Sequence, residues 1–397
     1  MKGGDVLPIL TGESVLVLGG DGFCGWPTAL RFSALGAHVT IVDNGSRRAL
    51  DTTLGIQSLT EIRSLPERIA AWKTISGRKI TSRRLDIAKD YGALVELLTD
   101  LKPTTIIHFA EQRSAPYSML SSEGARYSVD NNIRTTHNLL AAMVEAECDA
   151  HLMHLGTIGI YGYGSAGMQL PEGYAQVTLH GSDGREVERE ILYPGEPVSI
   201  YHMTKQLDQH LCAFYARHYG LRITDLHQGI VWGTQTEETR QDPRLVNRFD
   251  HDAVYGTVVN RFLVQAFEGK PLTVYGSGRQ TRAFIHIEDM LTCFILASRT
   301  PPARGDRVRI LNEVSETSSI NALADRVAAL TGAEIAHVEN PREEPESNEF
   351  AVDRKKLANM GLKAHTFDDM LGAEVEALTE ILSGRRQRTL PSQLKLA

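Results

Sequence analysis

The chain has 397 residues, 42% hydrophobic and 23% charged, with a formal charge of −7 at pH 7. Such a chain can bury a substantial core without disulfides or metals. Its acidic balance argues against nucleic acid or a membrane surface as partner, and no apolar run approaches the ~18 residues that span a bilayer.

In chain order, the first strand is predicted at Ser14–Leu18, a short apolar run ending in glycines, as a strand buried on both faces reads. A helix over Trp26–Leu35 stops at Gly36, and a second strand, His38–Val42, ends at Asp43. A helical pattern over Leu65–Ile75 lies inside the long connection 45–79, and the run Ile80–Leu85 precedes Asp86. Further apolar runs fall at Thr104–Phe109, His151–Leu155 and Arg222–Leu226, separated by helical periodicity. Alternating helices and buried strands predict an α/β fold, a doubly wound parallel sheet covered on both faces. After Gly229 the pattern is less regular, with turns around 269–271 and 276–278, which predicts a smaller mixed α/β C-terminal lobe. Cys24, Cys148, Cys212 and Cys293 form no CxxC pair and read as reduced, mostly buried thiols. With no basic start and apolar core of a signal peptide at the N-terminus, a cytoplasmic protein is expected.

Gly19, Gly20, Asp21, Gly22, Phe23, Cys24 and Gly25 follow the first strand, with a helix directly behind them. The GxxGxxG spacing lets the backbone turn tightly and approach a pyrophosphate. The helix N-terminus then offers N–H groups and a positive dipole end to the phosphates. A glycine trio alone is weak and can be a plain tight turn. A strand before it, a helix after it and Asp43 at the end of the next strand make it a Rossmann-type dinucleotide fingerprint. Asp43 can accept from the adenosine ribose hydroxyls and repels a 2′-phosphate, so NAD is expected rather than NADP, although Arg47 and Arg48 lie close enough to offset that repulsion. Asp86 is placed either to meet the adenine or to cap a helix.

Tyr201 and Lys205, at i and i+4, share one helix face. A phenol with a pKa near ~10 is a poor base at neutral pH. A neighbouring ammonium and a positively charged nicotinamide ring both favour the phenolate, which can then take a sugar hydroxyl proton while hydride leaves for NAD. The pair is frequent by chance, and its distance behind the glycine-rich turn is what gives it weight. Thr157, in the loop Leu155–Gly162, can bind the same sugar oxygen or merely satisfy the turn backbone. The 14 histidines show no HExxH-like spacing, so no metal is expected. The expected division is 12–228 for the NAD-binding domain with the Tyr–Lys helix and 229–382 mainly for a lobe that sets ligand specificity, the chain crossing back to the first domain. The basic, turn-like stretch 383–397 reads as a solvated tail.

Taken together, these motifs resemble the extended short-chain dehydrogenase/reductase superfamily of NAD-dependent epimerases and dehydratases. Several blocks are similar to its UDP-sulfoquinovose synthase branch: Gly19–Trp26, Glu111–Ser118, Arg248–Gly256, Pro271–Gly276, Gln280–Arg282 and Asn340–Arg342. The resemblance covers most of the chain except about the first ten residues and the tail. It implies NAD along Gly19, Gly22, Phe23, Cys24 and Gly25, with Asp43, Asn44 and Arg47 at its adenosine end, and a Thr157–Tyr201–Lys205 triad. Arg113 and His202 would line the sugar pocket near the sixth carbon. Asn260, Arg282 and Arg342 would hold a nucleotide diphosphate, where a fork of donors matches phosphate oxygens, with Thr273 and Tyr275 as further substrate-binding candidates. Each arginine can instead be a surface or interface residue. The resemblance also implies a homodimer.

One departure bears on the reaction. The sulfoquinovose synthases and sugar dehydratases carry a glutamate a few residues after the triad Ser/Thr, where this chain has Ile160. An isoleucine cannot transfer a proton, and the 4-epimerases of the superfamily place an aliphatic residue there. The first reading is therefore C4 epimerisation of a nucleotide-activated sugar. The second is sulfoquinovose synthesis or related 4-keto-5,6-ene chemistry, with His202 in place of the missing glutamate. A non-catalytic NAD-binding regulator is the third, and the intact triad speaks against it.

Overall fold

In the computed structural model, which describes residues 9–162, 169–340, 347–348 and 350–389, the apolar run Ser14–Leu18 forms strand β1 at the centre of a sheet. Side chains alternate across a strand, so Val15 and Val17 join the core on one face while Leu16 and Leu18 join a second core on the other. The chain continues through α1 (Gly25–Ala34), β2 (His38–Asp43), α2 (Ser46–Leu54), α3 (Leu65–Ser76), β3 (Ile80–Arg84), α4 (Tyr91–Leu101), β4 (Thr105–His108), α5 (Ala115–Leu120), α6 (Ser122–Glu145) and β5 (His151–Thr157). A hairpin, β6 (Tyr174–His180) and β7 (Glu186–Leu192), precedes α7 (Ile200–Tyr219), β8 (Arg222–Gln228) and β9 (Ile230–Trp232). Then follow α8 (Val258–Phe267), β10 (Leu272–Tyr275), β11 (Arg279–His286), α9 (Ile287–Ser298), β12 (Arg309–Glu313), β13 (Glu316–Ser319), α10 (Ile320–Thr331), β14 (Ile335–Val338), β15 (Ser347–Asn348), α11 (Lys355–Asn359) and α12 (Phe367–Thr389).

Seven strands pair in parallel in the order β12-β8-β5-β4-β1-β2-β3. The order reverses between β1 and β4, which opens a crevice at the carboxyl ends of those strands, where doubly wound sheets take ligands. On one face α1 and α9 bury Trp26, Leu30 and Phe294; on the other α4, α6 and α7 bury Leu94, Leu139, Leu140 and Cys212. A Leu140→Ala change in such a core typically costs about 2–5 kcal/mol. The fold is thus the doubly wound parallel sheet that the strand–helix alternation predicts.

The C-terminal region adds small sheets: β11 pairs with β9, β13 and β15, and β10 pairs with β14. Trp232, Phe249, Phe262, Phe284 and Phe367 build a third core among them. From this region the chain returns to the large sheet as its edge strand β12.

Two stretches differ from the sequence reading. The hairpin β6–β7 has no predicted counterpart, and most of its residues are exposed. The turn-like reading from 383 onward is corrected as far as Thr389, because α12 runs through that residue. A single interior glycine, Gly384, costs a helix only about 1 kcal/mol, and arginine and glutamine are good helix formers. Residues 390–397 of the expected tail lie outside the described residues. The four cysteines are free and buried. Among the described residues no helix is long and apolar enough to cross a membrane.

Candidate active site

The turn after β1 forms one wall of a cavity at the switch point, lined by Gly19, Gly22, Phe23, Cys24 and Gly25. Its glycines are fixed by close backbone contact. A Cβ on Gly19 would lie 2.7 Å from the Phe109 carbonyl carbon, and one on Gly25 would lie 2.2 Å from the Gly19 oxygen. Gly19 also holds φ at +79°, a conformation that side chains disfavour. Cys24, at the N-cap of α1, supplies no side-chain cap, so the first turn of that helix faces the cavity without an internal acceptor from that residue.

Asp43 ends β2 at the same cavity, its carboxylate accepting from the Asp21 N–H at 2.9 Å and the Gly45 N–H at 2.7 Å. These two bonds orient it and leave acceptor capacity, since a carboxylate has about four lone-pair sites. Neither nearby arginine is committed to a 2′-phosphate: Arg48 is paired with Asp21, and Arg47 with Asp51 and Asp250. Asn44 accepts from the Ser46 N–H and braces the loop. Asp86 lines the cavity and also accepts from the Ala88 N–H, while pairing with Lys89 at 2.9 Å. Asp86 therefore stands at the cavity, whereas the N-cap position of the helix that follows is Asp90, whose side chain makes no cap hydrogen bond. A glycine-walled turn, an open helix end and an oriented carboxylate fit an NAD molecule lying along this cavity.

Thr157, at the end of β5, and Tyr201, in the first turn of α7, meet through their hydroxyls, and Lys205, one turn further on, contacts two residues that line the cavity, Leu155 and Glu111. Ser199 caps α7 by accepting from the His202 N–H, and the Tyr201 N–H donates to Ser118 Oγ at 3.1 Å, which fixes the helix start against α5. The Thr157 hydroxyl interacts with the Tyr201 phenol and accepts from the Gly159 N–H at 3.1 Å. It therefore serves both the phenol and its own turn. Lys205 Nζ donates to the Leu155 carbonyl at 2.6 Å and lies 2.7 Å from Glu111. Leu155 and Glu111 both line the cavity. Burial pushes the Tyr201 phenol above its ordinary value; Lys205, Arg113 and the Thr157 hydroxyl pull it down, and Glu111 pushes it up. Burial also opposes the charge of Lys205, but Glu111 and Asp208 outweigh it and hold the ammonium above the usual lysine range.

On the substrate side, Arg113 lines the cavity and pairs with Asp250 at 2.6 Å. Asn260 donates to the Asp250 carbonyl at 2.9 Å, which ties it to the same corner. The His202 ring packs on the turn after Thr157: a Cβ on Gly159 would lie 2.2 Å from its Nε2, and its Nδ1 is 3.0 Å from Ser199 Oγ. Thr273 and Tyr275 sit away from this cavity, on β10. Thr273 bonds Gln265 at 2.8 Å, and Tyr275 lies under the Arg261 guanidinium at 4.3 Å. Arg282, on β11, donates to the Thr281 carbonyl. Arg342 lies outside the described residues. Ile160 is 2% exposed in an apolar cluster with Ile158, Val314 and Phe350.

Sequence reasoning named Arg47 and Arg113 but missed the two clusters that form here. Arg47, Arg113 and Arg248 meet Asp250, with Arg47 3.6 Å over the Tyr255 ring. Glu111, His154 and Asp208 gather around Lys205. The Lys205–Asp208 spacing of i, i+3 was the one local signal; the others converge only in the fold.

Residues 15–312 match the NAD dependent epimerase/dehydratase family. The chain is 42% identical over 364 residues to the chloroplastic UDP-sulfoquinovose synthase of Spinacia oleracea, covering 90% of this chain and 74% of that protein. It is 38% identical over 353 residues to the UDP-sulfoquinovose synthase of Sulfolobus acidocaldarius, covering 87% of each. Its fold is similar to that of UDP-glucuronic acid 4-epimerase from Bacillus cereus in complex with UDP-glucuronic acid and NAD, with a TM-score of 0.64 at 23% identity over 93% of this chain and 99% of the other.

Proposed function

The chain belongs to the NAD dependent epimerase/dehydratase family, and from that premise we propose that it converts a UDP-hexose to a sulfonated sugar through a 4-keto-5,6-ene, as a UDP-sulfoquinovose synthase. The observation that carries this reading is identity of 42% and 38%, over nearly the whole chain, to two proteins of that name. C4 epimerisation comes first on Ile160 alone. That likeness, over 90% and 87% of this chain, together with Arg113 and His202 acting next to Tyr201, favours the second chemistry.

Bound NAD supplies the acceptor for the C4 hydride. Tyr201 takes the proton of the C4 hydroxyl, with the Thr157 hydroxyl on the same oxygen and Lys205 behind the phenol. Once C4 is a ketone, the C5 proton becomes acidic. His202 occupies the site's only imidazole position next to Tyr201 among the described residues, with ring centroids 5.1 Å apart. An imidazole can act as base and acid near neutral pH. It removes the C5 proton and protonates the departing C6 hydroxyl, so that water leaves and the C5–C6 double bond forms. The sulfur of bisulfite then bonds to C6, its proton passes through His202 to C5, and Tyr201 returns its proton to the C4 oxygen as hydride is returned to C4. Arg113, whose side chain is 36% exposed, supplies positive charge for the incoming anion.

The NAD-loaded protein, incubated with UDP-glucose and sulfite, should yield a nucleotide sugar heavier by the sulfonate exchange in mass spectrometry. UDP-galactose as the sole product, with or without sulfite, would return the assignment to epimerisation.

A further inference from the structure

Lys205 is enclosed more fully than a Tyr–Lys pair requires. Its Nζ is 2.6 Å from the Leu155 carbonyl, 2.7 Å from Glu111 Oε2, 3.5 Å from His154 Nε2 and 3.9 Å from Asp208 Oδ2. The Lys205, Glu111, His154 and Asp208 side chains are all buried, at 4%, 3%, 0% and 0% exposure. An ammonium has three N–H donors. Leu155 and Glu111 engage two, and one remains for His154, Asp208 or the phenol. Neither oxygen of Asp208 makes a hydrogen bond among the described residues.

Burying a carboxylate is costly: Lys205 holds Glu111 below the usual carboxylate range against its burial, whereas burial and Glu111 push Asp208 up to about 7, and an ionised carboxylate beside this lysine opposes the task assigned to it. A negative charge close to the ammonium cancels part of the field that would stabilise a phenolate, and in a buried site that cancellation is weakly screened. Other charged and titratable groups also face the cage: His108 lies 3.3 Å and His154 3.4 Å from Glu111, and Asp225 lies 2.8 Å from His154, whose imidazole is held above its ordinary range. Arg113 acts on Tyr201 from the cavity side, and Cys212 acts on His154 from α7.

We propose that Glu111 and Asp208 are positioning residues that turn Lys205 inward and withhold part of its charge from Tyr201, so that the phenol releases its proton only when the cationic nicotinamide adds its own. This rests on Tyr201 as the proton acceptor, but on no particular sugar product. Burial and Glu111 both push the Tyr201 phenol upward, in the direction the arrangement requires.

The test is an ultraviolet titration of the Tyr201 phenolate in the full chain, with and without NAD, using Tyr201→Phe as the blank. Without NAD, Glu111→Gln should lower the titration midpoint by about one to three pH units, the order of shift that one neighbouring charge produces, because it removes a charge that pushes the phenol up. Glu111→Asp should stay near the unaltered protein. Asp208→Asn, which changes charge with little change of shape, should move the midpoint in the same direction and decides the matter if Glu111→Gln does not fold. Midpoints unmoved or raised in the folded variants would overturn the proposal and leave the two carboxylates a structural role. Because no product is read, failure here is separable from failure of the sulfonate reaction.

Discussion

Glu313 lies fully buried at the end of β12, accepting from Gln228 Nε2 at 2.9 Å, with its other oxygen unbonded. Burial pushes its carboxyl up to about 8, against the pull of Gln228 and Cys293. An unfolded glutamate titrates near ~4.3. The folded value is the higher one, so the stability Glu313 contributes is fully present below about pH 4.3 and is lost as pH rises toward 8. Glu313→Gln keeps the shape and cannot ionise. Thermal melts should show the variant gaining on the unaltered protein through that window, by up to a few kcal/mol, and gaining no more above it. A gap that stays constant with pH would mean Glu313 is ionised in the fold. At this scale legibility follows spacing. Tyr201 and Lys205 are readable because one helical turn joins them. Glu111, His154 and Asp208 come from three separate segments and share no periodicity. Asp250 is hidden inside a block that resemblance marks but no chemistry explains.

The glycine turn is the element whose sequence and geometry correspond most closely. Gly25→Ala would place a methyl 2.2 Å from the Gly19 oxygen, a backbone atom that cannot swing aside. The turn must open, at a cost of about 1–3 kcal/mol typical of overpacking. A lower melting temperature, with loss of NAD released from the denatured protein, is expected; unchanged retention of NAD would show that the turn tolerates a Cβ. β1, β2, β4, β5 and β8 are legible because a parallel strand covered on both faces carries a short apolar run, and all four residues of β4 are buried. The hairpin β6–β7 escapes for the opposite reason. Val177, Leu179 and Val187 alternate with polar residues in an exposed ribbon, and nothing local separates that pattern from a loop. The end of α12 escapes because a glycine and clustered arginines look like a tail when no packing partner can be seen.

Across the whole molecule, the return of the chain to β12 makes one sheet from residues more than 200 positions apart, since β12 pairs with β8 and β3 closes the far edge. That sheet sets the crevice for the cofactor, but it does not choose the reaction. The solved neighbour at 23% identity shares the fold alone, and one fold carries many chemistries. What distinguishes elimination from epimerisation is a proton on C5, and Ile160, packed into an apolar cluster, cannot move it. The decisive measurement is deuterium at C5 in nucleotide sugar recovered after incubation of the NAD-loaded protein with UDP-glucose and sulfite in D2O. The proposed chemistry predicts deuterium there with the unaltered protein and its loss with His202→Gln. A C4-inverted sugar that keeps protium at C5 would contradict it.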